Sequence, residues 1–247
     1  MTSGTLFASR KLPLQTYLAA IALFVNGAKG LSALQVSRDL DVQYKSAYVL
    51  CHKLREAMGA QQPEMVGGEV EIDGAYFGGH VRQENKKEDR KDRRLSENQT
   101  GKRRVVVVMR ERRGRTLPFV FRSEDQSLPT IRERVAAGSI VYADEARSWD
   151  GLHAHYVARR INHGVAFSDD GACTNQAESF FSRLRRAEIG QHHHIAGRYL
   201  YAYASEMAWR EDHRRTANGN LFNAVLASAA KLGPSRQWKG YWQRSAH

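Results

Sequence analysis

A chain of 247 residues, 42% of them hydrophobic, can bury a core as one large domain or as a small domain plus a larger one. No apolar run reaches the roughly 18 residues of a membrane-spanning helix, and Cys51 and Cys173 lie too far apart for a disulfide framework or a zinc ribbon. Without a secretory signal the chain is expected in the cytoplasm, and a formal net charge of +12 favours a polyanion partner.

The first 62 residues predict a small helical region. Apolar periodicity predicts helices over residues 12–28, 31–40 and 43–58, the last two joined by a tight turn. This order, with basic residues on the last helix, is typical of a helix-turn-helix that binds DNA, although a helical hairpin without DNA contacts has the same pattern. We therefore predict DNA contacts from Lys45, Lys53 and Arg55.

Residues 66–215 carry the pattern of a larger α/β domain. Alternating or β-branched apolar segments predict strands at 69–73, 104–110, 117–121, 139–144 and 157–162. Helices are predicted at 128–137, 175–188 and 195–213. Three strands, a helix, a strand and further helices suit an RNase H-like mixed sheet flanked by helices, the arrangement of retroviral integrases, though other mixed folds share this order.

Two stretches do not fit into a packed domain by their composition. Residues 82–101 contain no apolar side chain except Leu95, which predicts a solvated and mobile insertion. Residues 216–247 are basic and aromatic towards their end, and we predict a C-terminal tail there.

Asp73 and Asp144 are each expected at the C-terminal end of a predicted strand. That edge of an α/β sheet is where ligands bind, and two carboxylates on neighbouring strands can share a hard divalent cation. An Asp that only caps a turn is the alternative for either residue alone. A third acid at suitable spacing makes the metal site the favoured interpretation.

The third acid is expected on the helix at 175–188. Asn175 and Glu178 are three residues apart and therefore share one helix face, so Glu178, or in its place the Asn175 carbonyl, can complete the metal site. Arg185 lies two turns beyond Glu178 and is predicted to hold a DNA phosphate, together with Arg183, Arg186 and, on the later helix, Arg210. In the alternative interpretation, Glu178 and Arg185 are only the solvated side of an amphipathic helix.

The histidines give a weaker signal. His192, His193 and His194 are adjacent and point in different directions, which disfavours a shared zinc ion. His163 is expected near the active site in a structural or phosphate-contacting role, and Cys173 is expected to be incidental.

Five short motifs in order resemble the DDE domain of ISXO-like insertion-sequence transposases over residues 66–215. They are EIDGAYFGG at 71–79, ADE at 143–145, INHG at 161–164, TNQAESFFS at 174–182 and EMAWR at 206–210. Residues 3–14 are similar to the segment that follows the N-terminal zinc ribbon of that family.

The resemblance implies an enzyme that cuts and joins DNA with two Mg²⁺ or Mn²⁺ ions. Asp73 would bridge the ions, while Asp144 and Glu178, or Asn175 instead of Glu178, would each complete one ion's shell. The expected partner is DNA, both the ends of the insertion sequence and its target, bound by a homo-oligomer at the nucleoid.

Two departures from the family accompany this resemblance. The zinc ribbon is missing, which is typical of a truncated copy or of one with a misassigned start, and Arg185 stands where the family often has Lys. A DNA-binding regulator with an inactive second domain and a metal-dependent nuclease without strand transfer are the alternatives.

Overall fold

The computed structural model describes residues 2–79, 84–92, 98, 100–144, 147–161, 174–238 and 240. His163 and Cys173, and part of the predicted insertion at 82–101, lie outside these residues. Where that insertion is described, residues 84–92 are exposed and form only a single 3-10 turn, Lys87–Asp89.

The described residues fall into two compact units. One comprises Pro63–Ser182 and His194–Ala204, and the other comprises Met1–Gln62, Arg183–His193 and Ser205–His247. We call them the sheet unit and the helical unit. No described helix is long and apolar enough to cross a membrane.

The sheet unit is built on five strands in the order β3-β2-β1-β4-β5. The strands are β1 Glu69–Phe77, β2 Arg104–Glu111, β3 Thr116–Phe121, β4 Ile140–Asp144 and β5 Val157–Ile161. β1, β2 and β3 form an antiparallel meander, and β4 and β5 run parallel to β1. This is the RNase H-like mixed sheet that the sequence predicts.

The position of each strand follows from its residues. The Val105–Met109 run of β2 is buried on both faces, as its β-branched composition requires of a central strand. Pro118 lies in β3, which has a single partner strand within the described sheet, because proline cannot donate a ladder hydrogen bond.

One face of the sheet holds the apolar core of this unit. Val70 and Ile72 of β1 pack with β2 residues, with Ile131 of helix α4 (Leu128–Arg134), and with Trp149 of the 3-10 segment Arg147–Ala154. Side chains alternate along a strand, so Glu71 and Asp73 lie on the opposite face. Helix α5 (Asn175–Ala187) begins against that face, where Phe181 lies 6.4 Å from the Phe77 ring.

The prediction that Asp73 ends its strand is wrong. β1 continues to Phe77, because residues 73 to 77 remain paired with β2 as far as Phe77 opposite Arg104. Only the pairing with β4 ends early, at Glu71 opposite Tyr142. Asp144, in contrast, is the last residue of β4 as predicted.

The helical unit contains three helices at the positions that the sequence predicts for the first three helices of the chain. They are α1 Leu14–Asn26, α2 Ala33–Asp39 and α3 Tyr44–Gly59, and α2 is capped by Ser32, which accepts the Gln35 N–H at 3.1 Å. Most of helix α6, Leu200–Asp212, also belongs to this unit.

The stretch predicted as a tail contains a further helix, α7, Asn218–Lys231. Its Val225 and Ala229 are fully buried with Phe24 and Leu54 in the core of the helical unit.

Candidate active site

Asp73 and Asp144 are brought together by the register of β1 and β4. Glu71 pairs with Tyr142, and two residues further along each strand stand Asp73 and Asp144. Neighbouring strands are about 4.8 Å apart, and residues in register point to the same face. The sheet therefore presents the two carboxylates side by side, immediately beyond the last paired residues.

Asp73 is the electrostatic centre of this site. Its pKa is raised to about 7, mainly by burial and further by the charges of Asp144, Glu178 and Glu124, against a 2.7 Å hydrogen bond that Gly74 N–H donates to its Oδ1. The raised pKa means that Asp73 loses its proton less readily than a free carboxyl group. The negative charges around it therefore lack a positive counterion. A bound cation would supply that counterion.

Glu178 lies in the first turn of α5 and is one of the carboxylates that act on Asp73. The Thr174 hydroxyl donates to its Oε1 at 3.4 Å, and its backbone N–H donates to the Thr174 carbonyl at 2.9 Å. Asn175 is exposed and lines a depression that also contains Glu71 and Arg112. Glu178 is one of the charges that raise the pKa of Asp73, which favours Glu178 over Asn175 as the third candidate ligand.

Glu124 is a further acid near these carboxylates that the sequence reasoning missed. It begins the 3-10 turn Glu124–Ser127 after β3, and Ser148 Oγ donates to its Oε2 at 2.8 Å. Burial raises its pKa, the Ser148 bond lowers it, and Asp144 raises it. A Cβ at Gly74 would lie 2.8 Å from Glu124 Oε1, so the absence of a side chain there gives this carboxylate its place. The glycine directly after Asp73 was the available signal.

The carboxylate oxygens of this site are suitable ligands for a divalent cation, although they do not converge on one point. Asp73, Asp144 and Glu178 offer the oxygen ligands that Mg²⁺ and Mn²⁺ prefer, and Glu124 adds negative charge nearby. Among the described residues, however, no three acidic, histidine or cysteine side chains converge closely enough to hold a metal ion. The side chains therefore fit a divalent cation by the type of their ligand atoms and by their charge.

Most of the residues predicted to contact DNA have side chains that solvent can reach. Lys45, Arg185 and Arg186 are exposed, and Lys53 and Arg183 are partly exposed. Arg183, Arg186 and three further cations, Lys29, Arg210 and Arg214, line a depression of the helical unit.

Arg55 and Arg210 do not suit the predicted DNA contact. Both guanidinium groups pair with Glu206, which is fully buried, at 2.7 and 2.9 Å. Arg55 is 2% exposed and Arg210 8%, and Arg210 also donates to the Phe24 carbonyl at 2.7 Å. Glu206 and backbone carbonyls occupy both guanidinium groups, including that of Arg210 at the edge of the depression, so we remove both residues from the DNA-contacting set.

Two sequence comparisons with known proteins indicate a transposase. Residues 65–212 match the sequence model of a family described as ISXO2-like transposase domain. An uncharacterized transposase-like protein of Haemophilus influenzae is 33% identical over 84 residues, which span 34% of this chain and 68% of that protein. The crystal structure of the Mos1 strand transfer complex aligns over 90% of this chain and 81% of that chain, at 9% identity and a TM-score of 0.25, and this likeness is too low to carry an argument.

Proposed function

Since this chain belongs to the ISXO2-like transposase domain family, we propose that it cleaves DNA strands and transfers an insertion sequence to a new DNA site. The observation that carries this proposal is the meeting of Asp73 and Asp144 at the centre of the sheet, with Glu178 acting on Asp73 from α5. Carboxylates placed in this way serve phosphoryl transfer when they hold divalent cations.

Asp73, Asp144 and Glu178 would hold two Mg²⁺ or Mn²⁺ ions. Such ions, when bound, activate the attacking oxygen and stabilise the leaving oxygen of an in-line displacement. The chain's own part is to fix the ligands: Gly74 N–H orients Asp73 and the Thr174 hydroxyl orients Glu178. Glu124, held by Ser148, adds a further negative charge beside Asp144.

The same carboxylates would repel a DNA phosphate until cations neutralise them. Residues elsewhere must therefore supply the affinity for DNA, and the net charge of +12 is consistent with this division. We assign the contacts to the exposed Lys45, Arg185 and Arg186, with Lys53 and Arg183 beside them. The enzyme would act at the nucleoid as a homo-oligomer, because joining both ends of one element requires two active sites.

The test is a cleavage and strand-transfer assay with the purified chain. The substrates are a labelled duplex of the inverted repeats that flank the coding sequence and a supercoiled target plasmid, with Mg²⁺ or Mn²⁺. Asp73→Asn and Asp144→Asn should each abolish cleavage and leave DNA binding intact, because the amide keeps the shape and loses the charge that holds a cation. Glu178→Gln should match these losses, whereas Asn175→Ala should retain activity.

Other results of this assay would support one of the alternative functions. Cleavage without strand transfer indicates a nuclease, and DNA binding without cleavage indicates a regulator. Full cleavage by either Asp variant, in a preparation shown free of contaminating nuclease, contradicts the proposal. A greater loss in Asn175→Ala than in Glu178→Gln makes Asn175 the third ligand.

A further inference from the structure

The N-terminus of α5 is capped by a residue from the middle of the sheet. Glu71 of β1 accepts the backbone N–H groups of Gln176 at 2.8 Å and Ala177 at 3.1 Å through Oε2. The first N–H groups of a helix have no partner within the helix, and the residue before the helix ordinarily caps them. That residue here is Thr174, whose hydroxyl is directed to Glu178 instead.

The side chain of Gln176 joins the same end of α5 to β2. Its Oε1 accepts from Arg110 Nε of β2 at 3.3 Å, and its Nε2 donates at 2.7 Å to the carbonyl of Arg112, the residue that follows β2. The helix start is therefore held by two strands, through its backbone to β1 and through one side chain to β2.

Glu71 is itself fixed in place. It is 1% exposed, and Arg112 Nε lies 3.2 Å from its Oε1 while Arg112 Nη1 lies 3.0 Å from Glu69 Oε2. The Arg112 guanidinium also lies 3.6 Å from the centre of the Tyr142 ring. A buried carboxylate with a guanidinium on one side and a helix N-terminus on the other has both of its oxygens committed.

We propose that Glu71 is a positioning residue that sets Glu178 against Asp73. Glu71 and Asp73 are two residues apart on β1, so they share one face about 7 Å apart. One rigid strand therefore carries the first acid of the site and the anchor of the helix that bears the third acid. This inference rests on the function proposed above, since it concerns the same acids.

The experiment compares Glu71→Gln with Glu69→Gln, a matched control. Both changes remove one carboxylate from Arg112, but the Glu69 side chain is 50% exposed, and its Oε2 accepts from Arg112 and the Tyr142 hydroxyl rather than from the start of α5. Glu71→Gln should speed amide hydrogen exchange at Gln176 and Ala177 and raise the Mn²⁺ concentration needed for half-maximal cleavage by roughly 10- to 100-fold, the usual effect of losing a residue that orients a metal ligand. Saturating Mn²⁺ should restore cleavage, and DNA affinity without metal should not change.

Glu71→Asp is the second variant, in case Glu71→Gln leaves Arg112 unbalanced and fails to fold. It keeps the charge and shortens the reach by one methylene, so it should lose the helix contacts while it retains a partner for Arg112. Glu69→Gln should stay near wild type in both measurements.

The outcomes separate the two proposals. Wild-type amide protection and a wild-type Mn²⁺ requirement in Glu71→Gln and Glu71→Asp overturn the role of Glu71. A wild-type protein that neither cleaves DNA nor binds Mn²⁺ by calorimetry contradicts the proposed function instead. Amide exchange at Gln176 and Ala177 then decides by itself whether Glu71 anchors α5.

Discussion

At the scale of single residues, Asp73 lies where burial and three neighbouring carboxylates act in the same direction, and its pKa rises to about 7. The unfolded chain releases this proton near the ordinary value of 3.8. Between these two pH values the folded state binds more protons than the unfolded state, so the stability of the metal-free protein falls as pH rises through this window. A bound divalent cation would offset this loss of stability, because it would stabilise the ionised form of Asp73.

Asp73→Asn should therefore stabilise the metal-free protein at pH 8 and leave it unchanged near pH 4. One pKa unit corresponds to about 1.4 kcal/mol, so the gain at pH 8 has an upper limit of about 4 kcal/mol. Thermal unfolding in EDTA at both pH values measures it, with the exposed Asp125→Asn as the control. An equal effect of Asp73→Asn at the two pH values would show that Asp73 titrates normally.

Glu124 is the second residue whose role can be tested alone. If its charge contributes to the cation site, Glu124→Gln should weaken Mg²⁺-dependent cleavage, whereas Asp125→Asn next to it should not. Gly74→Ala should act in the same direction, because the new Cβ would displace the Glu124 carboxylate. Cleavage rates as a function of Mg²⁺ concentration provide the measurement, and unchanged rates in Glu124→Gln would leave Glu124 a purely structural residue.

At the scale of elements, the EMAWR motif of α6 is a structural part of the helical unit. Glu206 and Arg210 pair across one turn of α6, and Arg55 of α3 joins them at 2.7 Å. Burial alone would raise the pKa of Glu206, but the two guanidinium groups more than offset it and the pKa is lowered. The motif thus ties α6 to α3 and, through the Phe24 carbonyl, to α1.

Glu206→Gln should destabilise the helical unit by about 3–5 kcal/mol, because two buried guanidinium groups lose their counterion. Glu211→Gln is the matched control on the same helix. Glu211 also pairs with two arginines, Arg183 and Arg214, but these are 39% and 47% exposed and can be hydrated. Urea unfolding gives the free energies. Equal losses in the two variants would rule out a special role for the buried pair.

At the scale of the whole molecule, the net charge of +12 predicts an association with DNA that depends on salt. Binding should weaken steeply with salt, by roughly 10³-fold between 50 and 200 mM if about six phosphates are contacted. Arg185→Gln and Arg186→Gln should each reduce the salt slope by about one. Fluorescence anisotropy over a salt series tests both statements, and a flat dependence would argue against a DNA-facing basic surface.

Local pattern alone predicted the class of fold and singled out the first two acids as candidates. The strand periods at 69–73, 104–110 and 139–144, and the order in which they occur, predicted the mixed sheet. Asp73 and Asp144 stood out because a carboxylate next to an apolar strand needs an explanation. Each of these features is contained in a few consecutive residues, so sequence reasoning reaches it.

Tertiary structure decided the surroundings of those acids. Glu124 joins Asp144, Glu71 caps α5, and Glu206 encloses Arg55, each through partners distant along the chain. The residues next to a Glu or Arg in the sequence do not show whether its side chain is surrounded by water or by a distant segment of the chain. Only strand register and helix packing bring such partners within hydrogen-bond distance, and burial then determines whether the charge serves the active site, a helix end or the core.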